Sequence, residues 1–351
     1  MTLADDAVPR PICLGLQGGG AHGAFQWGVI ETLLADGRLD VKAITGASAG
    51  SMNAVVTAAG LRDGGAEGVK KHLTRFWRDV SDSSGFGSIP GDGDGLPRFF
   101  KQWMEANPLV AALEYAAEQA ATSMSPYDFN PLDINPLRDV VQRNIDFEAL
   151  RKDPRVKLFI AATRVLSTKV RIFRETELTI DQLMASAALP YLFKAVVIDG
   201  EPYWDGGYLA NPPLWPLYYE DLPADVLLIT LNPFERKETP KTSAEIMGRM
   251  NEINFNAVLM ADLRAQTFVK KLIEQDMLTP EARAQYRDVR LHTIRADGAL
   301  ADAPLNSKFD TSWDFLQSLH TKGVAAAKKW LDQSFADVGY RSSVDVNSDF
   351  L

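Results

Sequence analysis

Near the start of the chain, hydrophobic positions switch between two periods. Ile12, Leu14 and Leu16 stand two apart, which predicts a buried strand over residues 11–17. The glycines Gly18, Gly19 and Gly20 end that run. Ala24, Trp27, Val29, Ile30, Leu33 and Leu34 then supply the apolar side of a helix over residues 21–34, and Gly37 marks its stop. A second strand is predicted over residues 41–45. It runs into Gly46-Ala47-Ser48-Ala49-Gly50, and Met52, Val55 and Val56 carry a second helix to about Ala59. Strand, loop, helix, strand, loop, helix is the alternation of a mostly parallel α/β sheet.

Farther on the pattern is less regular. Ser83-Ser84-Gly85, Gly91-Asp92-Gly93-Asp94-Gly95 and two prolines open a flexible stretch, a helical run follows over residues 99–122, and Asn130-Pro131 and Asn135-Pro136 bring further turns. Residues 81–136 are therefore read as an insertion or helical cap over the sheet, with Phe99, Phe100, Trp103 and Met104 at an acyl-chain entrance or in the packing of the cap. Buried strands are expected at 156–162, with a neighbour at 169–173, and at 226–231. Asp199-Gly200 reads as the turn of a hairpin. Long helical stretches cover 244–275 and 312–331, and no internal repeat is present.

Composition narrows the function classes. A chain of 351 residues fits one large α/β domain or two smaller ones. Its lone cysteine, Cys13, allows no intramolecular disulfide and fits a reducing compartment. With 37 Lys and Arg against 46 Asp and Glu, the net charge of −9 disfavours a dedicated nucleic-acid binder. The N-terminus is acidic where a signal peptide would be basic, no transmembrane-length apolar run occurs, and position 2 is Thr2 rather than a myristoylated glycine. A cytoplasmic location is expected, peripheral to membrane if the substrate is there. Neither a P-loop nor a zinc motif is present, so no metal and no cofactor is expected. The Asp92-Gly93-Asp94-Gly95 stretch lacks the spacing and terminal glutamate of a calcium loop. Arg236, Lys237, Lys241 and Arg249 form either a solvated face or a lipid-headgroup patch.

The chemistry concentrates in three places. Gly46-Ala47-Ser48-Ala49-Gly50 is a Gly-x-Ser-x-Gly pentapeptide between a predicted strand and helix, where small residues permit a turn sharp enough to present the Ser48 hydroxyl. The helix that follows aims its free N–H groups and partial positive charge toward it. Gly18-Gly19-Gly20-Ala21-His22-Gly23 fits an oxyanion loop, in which backbone amides converge on a developing negative charge. It also fits a plain turn, and a dinucleotide-binding loop whose acidic partner would be Asp40, although Asp40 lies before the second strand rather than at its end. Tyr203-Trp204-Asp205-Gly206-Gly207 places a carboxylate at a strand end. Aspartate, with an ordinary pKa of about 3.9, is a weak base unless held against the serine in a partly desolvated site. None of the histidines, His22, His72, His292 and His320, has an obvious catalytic setting.

Taken together, the glycine loop, the pentapeptide, Asp205-Gly206-Gly207 and the stretch Ala185-Ser186-Ala187-Ala188-Leu189-Pro190-Tyr191-Leu192-Phe193 resemble the patatin-like phospholipase family over about residues 11–215. That resemblance implies a three-layer α/β/α fold, a catalytic core at 11–215 and a C-terminal part, 216–351, that completes the α/β domain. It also implies a lipid or phospholipid acyl-ester substrate met at a membrane surface. Carried over by position, Ser48 is the nucleophile, Asp205 the general base, and the Gly18, Gly19 and Gly20 amides the oxyanion hole. Gly23, Gly46, Gly50, Gly206 and Gly207 support these turns. The chain departs from the family at His22, where arginine or lysine is common; a largely neutral imidazole would assist an anionic substrate less. The alternatives are an α/β-hydrolase-type esterase with a Ser48–Asp205–His320 triad and a nucleotide-binding protein using Gly18–Gly23. A triad predicts that His320→Ala abolishes ester hydrolysis, whereas a Ser–Asp dyad predicts little change; a steady-state assay on a short-chain ester separates them.

Overall fold

The computed structural model describes residues 8–83, 125–300 and 303–350. Most of the predicted insertion at 81–136, with Phe99, Phe100, Trp103 and Met104, lies outside the described residues. The strands are β1 (Arg10–Leu16), β2 (Leu39–Gly46), β3 (Lys157–Arg164), β4 (Lys169–Arg174), β5 (Val196–Ile198), β6 (Glu201–Asp205), β7 (Asp225–Thr230) and β8 (Arg290–Arg295). All belong to one sheet. Strands β3, β2, β1, β7 and β8 run parallel in that order, and β4, β5 and β6 join as antiparallel members at the β3 end.

Alternation along the central strands sorts side chains into two cores. Ile12, Leu14 and Leu16 of β1, with Leu227 and Ile229 of β7, face one. Cys13 of β1 and Val226 and Leu228 of β7 face the other. The first is covered by α1 (Gly23–Asp36), α2 (Ala49–Asp82) and α6 (Trp313–Gln333), through residues such as Trp27, Val55 and Leu316. The second is covered by α5 (Ser243–Glu274), through Leu259 and Leu263, and by Phe350 near the C-terminus. Both faces are dressed with helices, so the molecule is a three-layer α/β/α structure, and its parallel strands read as apolar runs because neither face meets water. Between α2 and β4 lie α3 (Pro136–Asn144), started by the Asn135 side chain, and the strand β3; α4 (Ile180–Ala185) precedes the β5–β6 hairpin.

Local chemistry accounts for several boundaries. Gly37 ends α1 in the left-handed conformation, φ 77°. Asp199 and Gly200 both have positive φ, 52° and 79°, the backbone a two-residue hairpin requires. Helix α2 runs well past the predicted end near Ala59. Non-helical Gly64 and Gly65 kink it, and Val69, Leu73, Phe76 and Trp77 continue its buried face beyond the kink. Strand β8 went unpredicted, because Leu291 and Ile294 stand three apart among Arg290, His292, Thr293 and Arg295 and make neither an apolar run nor a two-residue alternation. Among the described residues no helix is long and apolar enough to cross a membrane.

Helix α1 is buried on nearly every side because α6 lies almost on its backbone. A Cβ at Gly28 would stand 2.1 Å from the His320 carbonyl oxygen, and one at Gly323 would stand 2.1 Å from that of Phe25. Trp27 fills the space beside this crossing against the His320 ring, with centroids 4.1 Å apart. Gly28→Ala should therefore force the helices apart and cost about 1–3 kcal/mol, the range of overpacked cores. Urea unfolding of variant and wild type measures it.

Candidate active site

The site forms where β1, β2 and β6 end. Beyond β1 the chain enters the glycine loop, and beyond β2 it turns at Ser48. Ser48 has φ 54° and ψ −125°, a conformation that non-glycine residues rarely hold without being forced. The forcing is visible. The Ser48 amide donates to the Ser186 carbonyl at 3.0 Å and lies 3.2 Å from the Ser186 hydroxyl, which pairs with the Ser51 hydroxyl at 2.7 Å. Gly50 presses onto β1 so closely that a Cβ there would lie 2.1 Å from the Leu16 carbonyl oxygen. That contact lets the turn close over the strand ends.

Asp205 arrives on β6. Its amide donates to the Ala188 carbonyl at 2.9 Å, and the next amide, of Gly206, donates to the same Ser186 carbonyl at 3.2 Å. One carbonyl thus anchors both turns. The Asp205 side chain is fully buried, and its Oδ1 accepts from the Gly207 amide at 2.7 Å. Oδ2 has no hydrogen-bond partner among the described residues, and the neighbouring Ser48 hydroxyl favours the ionised carboxylate. Burial pushes the Asp205 pKa up to about 7; Ser48, the Gly207 amide and Lys308 act in the opposite direction. The carboxylate is thereby poised to take a proton near neutrality.

Buried side-chain amides hold the glycine loop. Asn211 Oδ1 accepts from the Gly18 amide at 2.6 Å, and Asn232 Nδ2 donates to the Gly18 carbonyl at 2.9 Å. Gln17 Oε1 takes the Leu231 and Asn232 amides at 2.7 and 2.9 Å. The Gly18 N–H, expected to serve the oxyanion, is thus committed to Asn211. The Gly19 and Gly20 amides, and that of Ala49 at the first position of α2, have no acceptor among the described residues. Gly20 has φ 59° and lies against the Lys308 backbone, where a Cβ would stand 2.3 Å from the carbonyl oxygen.

A cavity of about 120 Å³ opens beside Ser48. Gly20, Ala49 and Lys308 border it near the serine, and Met52, Phe76, Trp77, Val140, Leu189, Leu192 and Phe193 make its wall apolar. Such a lining suits an acyl chain.

The histidines are engaged elsewhere. His320 Nε2 pairs with Glu31 at 3.1 Å, and His72 Nε2 with Asp63 at 3.0 Å. His22 Nε2 pairs with Ser307 Oγ at 2.8 Å, and burial, aided by Lys308 and Arg236, lowers its pKa to about 3, so its imidazole is neutral. A Ser–His–Asp arrangement does exist: Ser343 Oγ to His292 Nδ1 and His292 Nε2 to Asp225, each 3.0 Å. Asp225 is the first residue of β7, at the opposite end of the parallel strands from Ser48, and it also binds Arg290 and the Gly339 amide. This cluster ties down the C-terminal segment. Asp40, the acidic partner a dinucleotide loop would need, sits at the start of β2, likewise away from the glycine loop, and pairs with Lys42. Among the described residues, no group of three or more His, Cys, Asp or Glu is placed to hold a metal ion.

Sequence reasoning missed Asn211, Ala49, Ser186 as an anchor, and Lys308. Ser186 lay within a stretch already singled out, but its role is a main-chain contact across the fold. Lys308 carried no local signal at all.

A model of patatin-like phospholipases matches residues 14–218, more than half of the sequence, and the chain belongs to that family. Among solved structures, VipD from Legionella pneumophila is similar at 16% identity and a TM-score of 0.44, over 93% of this chain and 67% of VipD. ExoU of Pseudomonas aeruginosa, in complex with SpcU, is similar at 15% identity and a TM-score of 0.32, over 92% of this chain and 53% of that one. This chain therefore spans from about half to two thirds of those proteins. A search of curated proteins found no significant match.

The raised Asp205 pKa has a cost in stability with a defined sign. Its folded pKa, about 7, exceeds the ordinary 3.8, so the folded state binds the proton more tightly between those values. The associated stabilisation is complete below about pH 3.8 and lost as pH rises through about 7. Asp205→Asn should accordingly melt higher than wild type at pH 8, with the gap shrinking toward pH 4; scanning calorimetry at both pH values measures it.

Proposed function

We propose that the protein is a lipid acyl hydrolase of the phospholipase A or lysophospholipase type, working through a Ser48–Asp205 dyad and an acyl-enzyme. The observation that carries this reading is the pairing of a strained, cavity-facing Ser48 with a fully buried Asp205 whose pKa lies at about 7. Asp205 takes the Ser48 proton as the oxygen attacks an ester carbonyl. The negative charge that develops on the carbonyl oxygen is met by the Gly19 and Gly20 amides and by that of Ala49 at the positive end of α2. The alcohol departs with the proton from Asp205, and water activated by the same carboxylate releases the fatty acid. Gly18 serves the loop through Asn211 rather than the oxyanion. The apolar cavity supports a fatty-acyl substrate, and family membership supports a lipid one.

A fluorophosphonate probe followed by peptide mass spectrometry should place a single adduct on Ser48, lost in Ser48→Ala and strongly slowed in Asp205→Asn. Both variants should lower kcat by about 10³-fold or more. Because the base must be ionised, kcat/KM should climb with pH to a plateau, with an apparent pKa near 7. Labelling of folded protein elsewhere than Ser48, or a rate flat between pH 5 and 9, would refute the dyad.

A further inference from the structure

Lys308 belongs to a 3-10 turn, Leu305–Phe309, outside the residues that match the family model. Its backbone packs against Gly20, and the neighbouring Ser307 is held by His22. Among the described residues bordering the cavity, Lys308 is the only charged one, and it lines the same cavity as Ser48. Its ammonium lies over the Phe309 ring, 5.4 Å from the centroid, but meets no counter-anion there. The nearest acidic influences are Glu252 and Asp205. Glu252 is already taken by Arg236 on one oxygen and Arg249 on the other, and Asp205 is bound to the Gly207 amide. No carboxylate among the described residues forms an ion pair with Lys308, and its ammonium makes no hydrogen bond. Burial lowers the Lys308 pKa from the usual lysine value, while Glu252 and Asp205 pull it back up. Holding a desolvated cation with only an aromatic face and no counter-anion beside it is costly, and an anion arriving with the ligand would offset that.

Resting on the acyl-hydrolase reading, we propose that Lys308 binds the headgroup phosphodiester of a glycerophospholipid and so selects phospholipids over neutral acyl esters. The apolar wall takes the acyl chain, the serine meets the ester, and the phosphodiester, a few bonds from that ester, meets the ammonium. A charge-assisted contact of this kind in a partly desolvated site changes affinity by about 10- to 100-fold.

The test is a binding measurement, which does not need Ser48 to react. Wild type, Lys308→Met and Lys308→Arg are titrated calorimetrically with a monomeric short-chain diether phosphatidylcholine, with the matching neutral dialkylglycerol and with hexanoate. Wild type should bind the phosphodiester at least about 10-fold more tightly than the neutral ligand. Lys308→Met should erase that preference while leaving the neutral ligand's affinity unchanged, and Lys308→Arg should keep most of it. Three results would overturn the proposal: no preference in wild type, equal weakening of both ligands in Lys308→Met, or a loss confined to hexanoate, which would assign Lys308 to the released fatty acid. Failure of the dyad would show separately, as hydrolysis surviving in Ser48→Ala.

Discussion

Two strands share one edge of β3, and the candidate active site depends on it. Strand β4 pairs with β3 from Phe159 to Arg164 and so occupies its other edge throughout. Strand β2 pairs with the first half of β3, ending at Gly46 opposite Ile160. Strand β6, running the other way, pairs with the second half and ends with Asp205 opposite Ala162. The two strands therefore meet head-on, their ends two β3 residues apart, or roughly 7 Å at strand rise. Gly46 leads directly to Ser48, and Asp205 is itself the last residue of β6. Serine and carboxylate, far apart in sequence, are brought together by one strand's hydrogen-bond ladder, and the Ser186 carbonyl clamps both turns from above.

Around that junction, polar groups are buried in ways that favour chemistry over stability. Asp205 loses its hydration and becomes a better base, at the expense of the folded state above neutral pH. His22 is buried as the neutral imidazole and gives the loop a rigid prop rather than a charge. Gly18, Gly19 and Gly20 carry no side chains, so their shape comes from outside: Asn211 and Asn232, the latter braced by Gln17, hold the backbone at one end and Lys308 packs on it at the other. Amides left over from that scaffolding are fixed in direction, which is the preorganisation the proposed oxyanion role would need.

Much of the architecture was readable from pattern alone, because parallel strands covered on both faces are continuous apolar runs and α1 has the matching helical stripe. The failures have physical causes. The second half of α2 has clear helical periodicity at Val69, Leu73, Phe76 and Trp77, but Gly64 and Gly65 interrupt it and mask the continuation. Strand β8 is an edge strand with charged residues at both ends, and its pairing with β7 rather than its composition makes it a strand.

By itself the sequence determined the α/β layering and the turns that present Ser48 and Asp205, since those follow from local periodicity and from glycines at positions where a Cβ has no room. Only the tertiary structure decided which groups face each other. It placed the histidines against other partners, spent the Gly18 amide on Asn211, left the Gly19, Gly20 and Ala49 amides without acceptors among the described residues, and brought Lys308 to the cavity wall. Hydrogen-bond commitment and desolvation belong to neighbours in space, and a linear pattern records neither.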